Sequence, residues 1–185
     1  MRGLSVSRFY AGLLGATLFV TAAWADDGAE RLKAGLAASA SATQFLTDRC
    51  TVLKLAAPPV IRALRKTMEL KASPEVRAAL QVGADTALRY RRVDLTCGSH
   101  VLSQADNWYV PARLTPEMNH TLDSSEVPFG AVVKPLNFHR QTLKTESLDD
   151  PAHGLRVTAV LMTPDGVPFS LVVENYSREL MGSPR

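Results

Sequence analysis

Arginine and glutamate set into strand-like sequence are the groups in this chain that could do chemistry. Arg89-Tyr90-Arg91-Arg92 opens the alternating run RYRRVDLTC. A guanidinium is a planar fork of donors that matches a carboxylate in two-point contact. On an extended chain Tyr90 and Arg92 share one side while Arg89 and Arg91 share the other. Several of these arginines must therefore be solvated. Glu174 is the matching oddity: it interrupts the apolar run FSLVVENYS, and a carboxylate in such surroundings is rarely buried without a partner. A neighbouring arginine is one candidate partner, and a bound ligand is another.

No other constellation competes. His100, His120, His139 and His153 are scattered, without H-x-x-x-H spacing, and two isolated cysteines make a poor metal site. No metal site is expected. Gly-rich phosphate loops and G-x-S-x-G are absent from the sequence, so no cofactor is expected either.

The N-terminal segment reads as an export signal. Arg2 and Arg8 precede the apolar run Phe9 to Ala23, and Ala23-Trp24-Ala25 has the small-x-small form of a cleavage site, followed by Asp26-Asp27. The apolar run is short of the roughly 20 residues that span a bilayer. Cleavage after Ala25 leaves residues 26–185 as a single domain, periplasmic or secreted, with no stable membrane insertion. That mature chain has 19 basic and 18 acidic residues, so the net charge falls from +3 to +1. No basic run interleaved with aromatics is present, and no nucleic-acid partner is expected. In an exported protein two cysteines make a disulfide the default, which pairs Cys50 with Cys97.

The elements that must position these groups change character along the chain. Leu32, Leu36, Phe45, Leu46, Cys50 and Leu53 form a helical stripe, weakened at Ser39-Ala40-Ser41-Ala42, so that one long helix or two shorter ones fit. Pro58-Pro59 ends it. The next segment, VIRALRKTMEL, suits a helix or a strand, and Ser73-Pro74-Glu75 reads as a helix start. After Ala87 the chain reads as strands: ALRYRRVDLT, a turn at Gly98-Ser99, HVLSQ, then the short extended piece NWYVP. Two compact helices follow, Thr115 to Leu122 and one opened by Pro128-Phe129-Gly130. GLRVTAVLMT and VPFSLVVENYS are strands joined by Pro164-Asp165-Gly166, a tight turn with glycine at the position that needs positive φ. Early helices and a later antiparallel meander make the class α+β, an antiparallel β-sheet with flanking helices.

Four pieces in this order, FLTDRCT, RYRRVDLTCG, NWYVPARLTP followed by VPFG, and DGVPFSLVVENY, resemble the chorismate lyase family. Its wider superfamily includes ligand-sensing domains of some bacterial transcription regulators. The resemblance runs from about Phe45 to Tyr176. It implies the family's fold and, without metal or organic cofactor, elimination of pyruvate from chorismate to leave 4-hydroxybenzoate. It implies Arg92 and Glu174 as catalytic residues and Cys50, Arg92, Phe129 and Glu174 as substrate-binding residues. Arg92 would face inward and take the ring carboxylate, its alternative being a solvated strand arginine. Glu174 would accept a hydrogen bond from the ring hydroxyl. It lies six residues beyond Pro168 where the family pattern has five, so a bulge or longer hairpin is needed to turn it inward. For Cys50 and Phe129 the alternative is plain core packing.

Two functions follow from these readings. One is a lyase acting on chorismate or a related carboxylated enol ether. The other is a non-catalytic binding protein for a small aromatic carboxylate.

Overall fold

The structure, a computed structural model, describes residues 21–39 and 41–182. The export segment expected over residues 1–25 lies outside the described residues, apart from the backbone of its last five. Helix α1 (Thr21–Ala38) ends before Ser39, and α2 (Ala42–Val52) begins after Ser41, whose hydroxyl accepts from the Gln44 N–H at 3.1 Å. The serines therefore divide the stripe into two helices, because a serine that caps the free amides of a new first turn favours a restart over a continuous helix. No helix among the described residues is long and apolar enough to cross a membrane.

The remaining elements are β1 (Ile61–Lys66), α3 (Pro74–Ala79), β2 (Arg89–Cys97), β3 (His100–Tyr109), α4 (Pro116–Ser124), α5 (Phe129–Val132), β4 (His139–Ser147), β5 (His153–Met162) and β6 (Pro168–Ser177). The six strands form one sheet in the order β1-β2-β3-β6-β5-β4, every neighbouring pair antiparallel. The fold is α+β, as the sequence indicates. HVLSQ and NWYVP are one strand rather than two, and VIRALRKTMEL supplies the edge strand β1. At the hairpin between β2 and β3 Gly98 has φ +57°, and a Cβ there would lie 3.0 Å from the Ala56 Cβ. Glycine is needed at that turn on both counts.

Helices cover both faces of the sheet. On one face, called inner here, Leu32 of α1 and Phe45, Leu46 and Cys50 of α2 pack on Val93, Leu95, Ala105, Val157 and Tyr176. Met118 and Leu122 of α4 and Phe129 of α5 continue that layer over Tyr109 and Leu161. On the outer face Val76 and Ala79 of α3, with Leu80, cover Trp108, Val160 and Leu171. Cys50 and Cys97 form a disulfide with Cα atoms 6.2 Å apart, tying the end of α2 to the end of β2.

Candidate functional site

Strand register decides which charged side chains meet. Arg91 of β2 lies opposite Asn107 of β3, which lies opposite Val172 of β6. Two residues along, Val93, Ala105, Glu174 and Val157 make the next row across four strands. Side chains two apart share a face, so Arg91, Asn107 and Glu174 all rise from the inner face. Arg140 of the edge strand β4 leans in beside them. Together they line a cavity of about 50 Å³ whose other walls are mostly apolar, Phe129 and Phe138 among them, closed by Ser41–Thr43 at the start of α2.

Glu174 reaches this face through a bulge. Leu161 pairs with Ser170 and Met162 with Pro168, so Phe169 is an extra residue on β6. One inserted residue reverses every side chain beyond it. This is the device that the six-residue spacing from Pro168 requires.

The acid and one of the arginines neutralise each other. Arg140 Nη2 donates to Glu174 Oε2 at 2.6 Å, and the Tyr176 hydroxyl donates to the same oxygen at 2.9 Å. Burial pulls the Arg140 guanidinium down, but the charge of Glu174 and the contact with Tyr176 more than offset it and hold it above its ordinary value. Burial, and then the charge of Glu174, push the Tyr176 phenol well up, so it stays a neutral donor.

Arg91 has no such partner. It is 3% exposed, and its hydrogen-bond contact is a long one, Nη2 to the Val127 carbonyl at 3.5 Å. Its Nε is buried without a protein acceptor. Burial first, and the nearby charge of Arg65 second, push it down to about 10. Beside it, Asn107 accepts from the Ser170 hydroxyl at 2.6 Å through Oδ1, while its Nδ2 has no partner. A lone buried guanidinium next to an unused amide donor is what a carboxylate would satisfy.

Against the sequence expectations, Glu174 and Phe129 line the cavity, whereas Arg92 and Cys50 do not. Arg92 is corrected to the outer face. There its Nη1 lies 3.6 Å from Asp106 Oδ1, and the Tyr90 hydroxyl donates to that same oxygen. Cys50 is fully buried in the core and bound to Cys97, so α2 meets the cavity with its first turn instead. The sequence reading paired the faces rightly, Arg89 with Arg91 and Tyr90 with Arg92, and chose the wrong one. Val93 and Leu95, apolar and on the side of Arg91, were the signal for the inner face. Arg91, Asn107 and Arg140 were therefore missed, Arg140 because its strand was not anticipated. No group of three or more His, Cys, Asp or Glu among the described residues could hold a metal ion.

No protein-family model matches the chain. It is 37% identical over 180 residues to the uncharacterized protein y4mC of Sinorhizobium fredii, spanning 84% of this chain and 76% of that one. The chain belongs to the family of that protein. Among solved structures it is similar to the effector domain of PhnF from Mycobacterium smegmatis, with a TM-score of 0.51 at 13% identity over 68% of this chain and 86% of that domain. The whole PhnF gives a TM-score of 0.50 at 15% identity, over 70% of this chain and 64% of that one. The chain thus spans less than two thirds of full-length PhnF. The likeness shows the fold alone, a chorismate lyase-like α+β sheet.

Proposed function

We propose that this protein is an exported binding protein for a small aromatic carboxylate, held by Arg91 and Asn107. The observation that carries the reading is the buried Arg91 guanidinium, in no ion pair among the described residues and with its Nε unused, next to the free Nδ2 of Asn107. Arg140 and Glu174 offset each other at 2.6 Å, so the cavity has the single positive charge of Arg91 to neutralise. A monoanion does that. The apolar walls, Phe129 and Phe138 among them, suit a flat hydrocarbon body behind the carboxylate. The leader-like residues 1–25 support a periplasmic or secreted location.

A second reading is elimination of pyruvate from chorismate, favoured by Glu174 on the cavity wall. In it Arg91 takes the role that sequence resemblance gave to Arg92, and Glu174 accepts from the ring hydroxyl. Chorismate carries two carboxylates, and Arg140 is already engaged by Glu174, so a dianion suits this charge balance less well than a monoanion. Chorismate is also made and used in the cytoplasm, away from an exported protein.

Calorimetric titration with benzoate and 4-hydroxybenzoate tests the first reading. Binding that is lost in Arg91→Met and kept in Arg92→Met supports it, and equal loss or equal retention in the two variants removes it. Pyruvate release from chorismate, abolished by Glu174→Gln, would decide for the second.

A further inference from the structure

Asn107 ends in two groups of nearly the same shape and opposite hydrogen-bonding character, the acceptor Oδ1 and the donor Nδ2. The end turned toward Arg91 decides whether the cavity can hold an anion. Oδ1 there would give the buried guanidinium an acceptor from within the protein, and its charge would be met without a ligand. Nδ2 there puts donor beside donor and leaves both for a carboxylate.

One hydroxyl makes the selection. Asn107 lies opposite Arg91 of β2 and opposite Val172 of β6. Such partners have Cβ atoms about 5 Å apart, so a short side chain between them reaches groups on either strand. Ser170 stands two residues before Val172 on the same inner face, placed there by the bulge at Phe169 that also turns Glu174 inward. It is fully buried, and its hydroxyl donates to Asn107 Oδ1 at 2.6 Å. Among the described residues that oxygen is the acceptor the Ser170 proton has. Reversing the amide would leave this buried proton without an acceptor, which is costly. Oδ1 is therefore held toward β6, and Nδ2, which has no partner, is the end left for Arg91 and its ligand.

From this geometry we infer that Ser170 is the positioning residue of the anion site. It does not line the cavity. It acts through Asn107, holding the amide carbonyl away from Arg91 so that the protein does not fill its own site. The inference rests on the reading of Arg91 as a carboxylate site and adds the residue that keeps that site open to a ligand.

Ser170→Ala removes the hydroxyl and keeps the rest of the buried side chain, so the fold is retained. The freed amide can then turn Oδ1 to Arg91. Calorimetric titration with benzoate should find binding about tenfold weaker, the worth of one hydrogen bond to a charged group. A second measurement needs no ligand. Arg91→Met removes a cation that lacks an acceptor, so it should raise the Tm of the unsubstituted protein. Most of that rise should vanish in the Ser170→Ala background, where Asn107 already satisfies the arginine. A merely structural serine would leave the rise intact. Benzoate binding of equal strength in the unsubstituted protein and in Ser170→Ala, or an undiminished rise in Tm, would overturn the positioning role and leave the carboxylate site standing. Failure of benzoate to bind the unsubstituted protein would remove the carboxylate reading and, with it, the site that Ser170 serves.

Discussion

Replacing Arg91 with methionine should make the unliganded protein more stable while abolishing its binding of carboxylates. Arg91 is 3% exposed and has no ion pair among the described residues. A guanidinium held at about 10 instead of its ordinary 12.5 carries a cost of about 3 kcal/mol at neutral pH, an upper bound. Methionine fills a similar volume without that cost, and only the long contact to the Val127 carbonyl is lost. A net gain of about 1–3 kcal/mol corresponds to a rise in Tm of roughly 2–4 °C per kcal/mol for a domain of this size. The pH dependence has a definite sign. The group is a base with a depressed folded value, so the charged form is penalised at every pH below about 10, and relief comes only above it. The gain in Tm should therefore be flat between about pH 5 and pH 9. Differential scanning calorimetry of both proteins, with and without benzoate, checks every part. A lower Tm for Arg91→Met, together with a benzoate shift equal to that of the unsubstituted protein, would refute the reasoning.

Other outcomes follow from the same contacts. Glu174→Gln leaves the half-buried Arg140 facing a neutral partner, so urea unfolding should show a loss of about 3 kcal/mol, much of it recovered in the double variant Arg140→Met/Glu174→Leu. If the double variant is no more stable than the single one, the pair is not the source of the loss. Substituting both Cys50 and Cys97 by serine opens a bridge between residues 47 apart in sequence. This should cost about 4 kcal/mol by the loop-entropy relation, measured by the same unfolding, and an unchanged midpoint would remove the bridge as a support of the fold. Mass spectrometry of exported protein should find Asp26 at the new N-terminus, and a full-length mature chain would remove the export proposal.

The parts of the fold that were legible are those where one physical signal acts alone. The β5–β6 hairpin announced itself through two β-branched runs and Gly166, which has φ +83°. Pairing of Cys50 with Cys97 followed from their number. Strand β4 gave no such signal: HRQTLKTES is an edge strand, mostly exposed, and has little apolar alternation to read. The site was half legible for a related reason. Both faces of the sheet are covered, Trp108 and Tyr90 being packed together on the outer side with ring centroids 5.2 Å apart, so an aromatic on the side of Arg92 pointed to a core without saying which one. Glu174 stood out because a carboxylate in an apolar strand needs a partner, and the bulge at Phe169 that turns it inward is a single-residue event a sequence pattern registers only as a spacing off by one.

The most direct measurement of the central claim is the Nε–H resonance of Arg91, followed by NMR while benzoate is added. Carboxylate binding at Arg91 predicts a saturable downfield shift of that one arginine signal, assigned by its loss in Arg91→Met, and no shift with uncharged benzamide. A benzoate titration that saturates, by calorimetry, with the Arg91 signal unmoved would contradict it.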